Sequence, residues 1–113
     1  MDDGTKLERI LKRIVEALQP EAIWLFGSRA EGRARPDSDY DLLVVVGDSS
    51  PAAALDAVSA YQLVRGSGLA VDLVPCTKSI FEEEKNVVNT LPRAAFHRGR
   101  LLYEQRTKSR DAA

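Results

Sequence analysis

The chain has 113 residues, with one Cys, one His and a formal net charge of −1 from 16 basic and 17 acidic side chains. That length suits one compact domain, and the balanced charge lacks the pull on nucleic acid that a strongly basic domain exerts, which argues against direct nucleic-acid binding. A lone Cys76 excludes an internal disulfide, and one Cys with one His excludes a Cys/His zinc site within the chain.

The start, MDDGTKLERI, is acidic and has no apolar signal core, and no apolar run is long enough to span a membrane, so a cytoplasmic protein is expected. Leu7, Ile10, Leu11, Ile14, Val15 and Leu18 recur at helical spacing and predict a first helix, with Thr5 and Glu8 as its capping box and Pro20 as its stop. Ala22–Phe26 reads as a short buried strand ended by Gly27-Ser28. The polar stretch from Arg29 to Ser38 is expected to hold one helical turn and a loop.

Tyr40–Val46 is a second strand, and its unbroken apolar run predicts a central place with both faces covered. Ser50-Pro51 then opens a second long helix running to Arg65 and closed by Gly66 and Gly68. Leu69–Val74 forms a third strand ended by Pro75, and Thr77 to Lys85 is helical. So is Val87 to Arg98, with a break or fresh start at Pro92. Arg100–Tyr103 is a last short strand. The domain is thus placed at 1–104, with 105–113 a polar tail expected to be disordered. Alternating helices and strands predict an α/β fold of the mixed-sheet α+β kind, a central sheet covered by helices.

The chemistry concentrates between Leu25 and Leu43. Gly27 allows a sharp turn and close approach to a ligand, and the free N–H groups of the following turn, with the Ser28 hydroxyl, suit a phosphate. An ordinary turn would use the same two residues. Asp39-Tyr40-Asp41 opens the second strand, where residues two apart project to one side, about 6–7 Å apart at Cα. A solvated strand end would also carry such a pair. Asp72 interrupts the apolar run of the third strand, where a lone buried charge is costly unless paired.

If these acids converge, two charges at about 5 Å repel by roughly 3 kcal/mol at an effective dielectric of 20, and a divalent cation reverses that sign. Oxygen-only ligands point to Mg²⁺, with Mn²⁺ as the alternative, over zinc. Asp39 and Asp41 would grip the metal on a triphosphate, and Asp72 would complete a second site or take the acceptor's proton. Arg29, Arg33 and Arg35 are candidate phosphate contacts or solvated surface charges. The P-loop pattern fails because Arg33-Ala34 stand where Lys and Ser/Thr are required. The EF-hand pattern of Asp37, Asp39 and Asp41 fails because Leu42 and Asp48 replace its Gly and Glu.

Phe26-Gly27-Ser28, a ten-residue spacer, Asp39-Tyr40-Asp41 and the later Asp72 together resemble the nucleotidyltransferase superfamily that includes DNA polymerase beta. The nearest likeness is to the minimal nucleotidyltransferases, the MNT group, and it extends to the opening helix and the Gly99–Glu104 segment. The resemblance implies a polymerase-beta-like core, metal ligands at Asp39, Asp41 and Asp72, and nucleotide contacts at Gly27, Ser28 and Arg29. It also implies ATP as substrate and a HEPN-type toxin RNase as the partner whose hydroxyl receives AMP. Two alternatives stay open: an antitoxin that silences by contact alone, and transfer to a small molecule such as an aminoglycoside.

Overall fold

The computed structural model describes residues 2–106. Helix α1 (Asp3–Leu18) precedes strand β1 (Ala22–Phe26), the short helix α2 (Ser28–Glu31) and strand β2 (Tyr40–Val46). A 3₁₀ turn (Pro51–Ala54) and helix α3 (Ala57–Val64) lead to strand β3 (Val71–Thr77). Helices α4 (Lys78–Glu84) and α5 (Leu91–Arg98) and strand β4 (Arg100–Glu104) complete the domain. The four strands form one mixed sheet in the order β3-β2-β1-β4, with β2 and β3 parallel and the other neighbours antiparallel. This is the expected α+β architecture of a polymerase-beta-like core.

Residues Leu42 to Val46 of β2 are all buried, because helices cover both sides of the sheet. Alternation along the strand sorts them. Leu42, Val44 and Val46 pack with Ile10, Ile14, Ile23, Leu25 and Leu73 beneath α1 and α3. Leu43 and Val45 pack with Phe26, Phe81 and Ala95 beneath α4 and α5. Odd-numbered positions of β2 thus face α4 and α5, and this parity decides where the acids point.

Several boundaries differ from expectation. Asp2, not Thr5, caps α1: its carboxylate accepts the Thr5 N–H at 2.9 Å, and Asp3 adds a favourable charge to the first turn. The predicted long helix from Ser50 to Arg65 is broken in two at Leu55-Asp56, because Asp56 caps α3 by accepting the Ser59 N–H at 2.7 Å. An Asp gains more from a cap than from a helix interior. Strand β3 runs through Pro75 to Thr77, since an edge strand tolerates a missing N–H. Pro92 proves a fresh start: it lies in the first turn of α5, which Thr90 caps.

Gly99 joins α5 to β4, where a Cβ would overlap the Leu25 and Ala95 carbonyl oxygens. Beyond β4 the Gln105 N–H donates to the Glu21 carbonyl at 2.9 Å, so the chain stays attached at the start of the predicted tail. The rest of that tail, 107–113, lies outside the described residues. Among the described residues no helix is long and apolar enough to cross a membrane.

Candidate active site

Strand β1 ends at Phe26, and Gly27 turns the chain into α2 with φ +79° and ψ −159°, a region that is essentially glycine-only. The Ala30 and Glu31 N–H groups donate back to the Gly27 carbonyl at 3.0 and 3.1 Å. The N–H groups of Ser28 and Arg29, the first two of the helix, have no partner within it.

Phe26 pairs with Asp41 in the antiparallel register, which brings this turn against the start of β2. A Cβ on Gly27 would overlap the Asp41 carboxylate. The bare Cα is what allows the turn and the acid to lie so close.

Asp41 stands directly opposite Asp72 in the parallel β2–β3 register, with Leu42 opposite Leu73 and Leu43 opposite Val74. Opposed residues in a sheet project to one face. Leu73 packs with Leu42 under α1 and α3, and Val74 packs with Leu43 under α4 and α5. Both acids therefore lie on the α4/α5 side, at the end of the sheet where β2 begins. Asp39 precedes the strand by one residue and is exposed, so the loop, not the strand pleat, sets its position.

Asp41 is half-buried, and its carboxyl is held above the ordinary aspartate range, first by burial and then by the charges of Asp72 and Asp39. Asp41 thus lies within the fields of both Asp72 and Asp39. Asp72 is exposed at the sheet edge, so the apolar surroundings expected for it are absent. Among the described residues no three His, Cys, Asp or Glu side chains are grouped closely enough to hold a metal ion. The oxygen-only donors and the cradle at Gly27 nevertheless suit a hard divalent ion.

Arg29 and Arg33 have side-chain partners within the protein. The Arg29 Nε and Nη2 donate to the Ser38 carbonyl at 3.3 and 3.0 Å, and Nη2 also donates to the Pro36 carbonyl at 3.2 Å. Its guanidinium carbon lies 4.3 Å above the Tyr40 ring centroid. Arg29 is thus bound to its own loop through Nε and Nη2. Arg33 is exposed and pairs with Glu31 at 3.4 Å. The Arg35 backbone N–H donates to the Ser38 hydroxyl at 2.8 Å. Sequence reasoning missed Ser38 and Tyr40, and the only signal was their position on either side of Asp39.

His97 is exposed and bonded to Asn86 at 2.7 Å, and Cys76 is partly buried. A cavity of about 550 Å³ lies at the opposite end of the sheet, on Trp24, Phe81 and Phe96. It is remote from the acids by strand position, since Val45 and Ala22 rather than Asp41 and Phe26 line it.

Among the solved structures that share this fold are two that cover most of this chain. One, a Sulfolobus solfataricus protein provisionally assigned as a nucleotidyltransferase, is 18% identical with a TM-score of 0.57, over 89% of this chain and 79% of that one. The other, a toxin–antitoxin crystallised with AMP-PNP, is 21% identical with a TM-score of 0.60, over 96% of this chain and 79% of that one. No curated protein matches by sequence. The model of the nucleotidyltransferase domain matches residues 6–100, and the chain accordingly belongs to that family and is an enzyme of nucleotidyl transfer.

Proposed function

We propose that the chain transfers AMP from ATP to a hydroxyl on a partner protein, with Asp39, Asp41 and Asp72 as the acids that hold Mg²⁺, or Mn²⁺ in its place. The observation that supports this reading most directly is the register that sets Asp41 opposite Asp72 beside the Gly27-Ser28 turn. Members of the family generally use a nucleoside triphosphate and a divalent metal. When bound, the metal offsets the negative charge of the triphosphate and makes the acceptor hydroxyl more acidic.

The protein's own part is positioning and proton transfer. Gly27, Ser28 and the free N–H groups of α2 hold the phosphates against the start of β2. The Asp72 carboxylate takes the acceptor hydroxyl's proton. The hydroxyl oxygen bonds to the α-phosphorus, and the bond to pyrophosphate breaks. Pyrophosphate leaves with that bond's electron pair. A neighbour crystallised as a toxin–antitoxin with AMP-PNP favours ATP as donor and a toxin as partner. By the likeness to the MNT group the partner proposed is a HEPN-type RNase, and such a pair would act in the cytoplasm.

Incubation with labelled ATP, Mg²⁺ and the partner tests the reading: label should reach the partner with the wild-type chain and not with Asp39→Asn. No transfer by the wild-type chain would overturn it. A contact-only antitoxin is favoured by one feature, Val58 and Tyr61 on α3, which are 66% and 62% exposed. That reading requires Asp39→Asn to neutralise the partner as well as the wild type does.

A further inference from the structure

We infer that Arg29 is a positioning residue for Asp39, a role that rests on Asp39 being a metal ligand as proposed above. Asp39 is exposed and lies outside the sheet. The β2–β3 side first fixes the backbone at Tyr40, whose N–H donates to the Ala70 carbonyl at 2.8 Å. Upstream, 32–37 is an exposed polar stretch, and such stretches open easily. Without a further constraint, the Asp39 carboxylate would move with that loop.

Arg29 supplies the constraint from both sides. Its guanidinium donates to the carbonyl of Ser38, the residue before Asp39, and to that of Pro36. The same guanidinium lies over the ring of Tyr40, the residue after Asp39. Arg29 itself sits in the first turn of α2, two residues beyond Gly27. One side chain therefore ties the Gly27-Ser28 turn to the residues flanking Asp39, while Gly27 abuts Asp41. Only a planar fork can bridge two carbonyls and lie over a ring at once; a lysine ammonium is a point charge on a flexible stem.

This geometry separates two roles that charge alone does not. A phosphate-binding Arg29 would be partly replaced by Lys, and its loss would raise KM for ATP. A positioning Arg29 is not rescued by Lys, and its loss shows in metal binding without any nucleotide. The experiment is titration with Mn²⁺ alone, followed by electron paramagnetic resonance, on the full chain as wild type, Arg29→Lys, Tyr40→Leu and Asp39→Asn, with ATP kinetics in parallel.

Arg29→Lys is expected to weaken Mn²⁺ binding by roughly 10- to 100-fold, as loss of an orienting partner does, and to lower kcat more than it raises KM. Tyr40→Leu, which leaves every charge in place, should weaken Mn²⁺ binding in the same direction. Arg29→Lys or Tyr40→Leu binding Mn²⁺ as the wild type does would overturn the inference. So would an Arg29→Lys defect confined to KM for ATP. If Mn²⁺ binding by the wild type is indifferent to Asp39→Asn, the metal-site reading itself fails and takes this inference with it.

Discussion

Asp41 and Asp72 face each other across two parallel strands, in a register that continues into the buried pair Leu42 and Leu73. The core thus fixes the separation of two like charges that would otherwise move apart. Asp72→Asn removes one of them. Because Asp72 is exposed, solvent screens the repulsion, and the relief should be only about 0.5–1 kcal/mol. In chelator the variant should therefore melt slightly above the wild type. With Mg²⁺ and ATP the order should reverse, because ligand binding stabilises the wild type more. Transfer activity should fall by about 100-fold or more, as expected for loss of a general base. A wild type that gains no thermal stability from Mg²⁺ and ATP would contradict the assignment.

Asp41 gives the pH dependence a sign. Burial first, then the Asp72 and Asp39 charges, raise its carboxyl above the ordinary aspartate value. The folded chain therefore holds this proton more tightly than the unfolded chain. Its contribution to stability is fully present below the ordinary value and is lost as pH rises through the raised one. A metal ion needs the ionised form, so Mn²⁺ affinity should begin to fall, on acidification, at higher pH than for an unperturbed aspartate. Titration at a series of pH values checks this, and Asp72→Asn should move the midpoint downward. An unmoved midpoint would show that the two acids do not sense each other.

The parts legible in the sequence were those that depend on local pattern. Burial on both sides made the apolar run Leu42–Val46 readable as a central strand, and the Gly27-Ser28 turn and Asp39-x-Asp41 pair are contiguous in sequence. What stayed hidden depends on tertiary context. The register that opposes Asp72 to Asp41 pairs strands separated by the whole of α3. The exposure of Asp72 follows from the edge position of β3, which no periodicity encodes. Arg29 read as a free cation because its acceptors, the Pro36 and Ser38 carbonyls, belong to backbone whose conformation the loop sets. Asp56 was a missed cap of the ordinary kind, concealed in an Ala-rich run that alone favours helix.

Cys76 offers a check on the α4/α5 side of the sheet. Burial first, and Glu84 second, push its thiol from 9.0 up to about 11. It is therefore protonated at neutral pH and a poor nucleophile. Iodoacetamide should label it slowly in the native chain and much faster once urea unfolds it. The native rate should climb steadily as pH approaches the raised value. Over that range ionisation also removes the stability that the neutral thiol contributes, so the chain should become easier to unfold. Rapid labelling of the native chain at neutral pH would mean that the strand edge at Val74–Thr77 is open to solvent.

Gly27 joins the fold to the chemistry most tightly, and Gly27→Ala separates two sources of damage. Its backbone, at φ +79° and ψ −159°, lies where L-residues are strained, at a cost of about 1–3 kcal/mol. The added methyl would also meet the Asp41 carboxylate. Chemical denaturation should show both penalties in Gly27→Ala. In the double variant Gly27→Ala/Asp41→Ala the carboxylate is gone and only the backbone strain remains. The double variant should therefore be less destabilised, relative to Asp41→Ala, than Gly27→Ala is relative to wild type. Coupling of this kind between contacting residues reaches about 0.5–3 kcal/mol. Simple additivity would mean that the turn and the acid do not touch, and that Gly27 serves only the bend into α2.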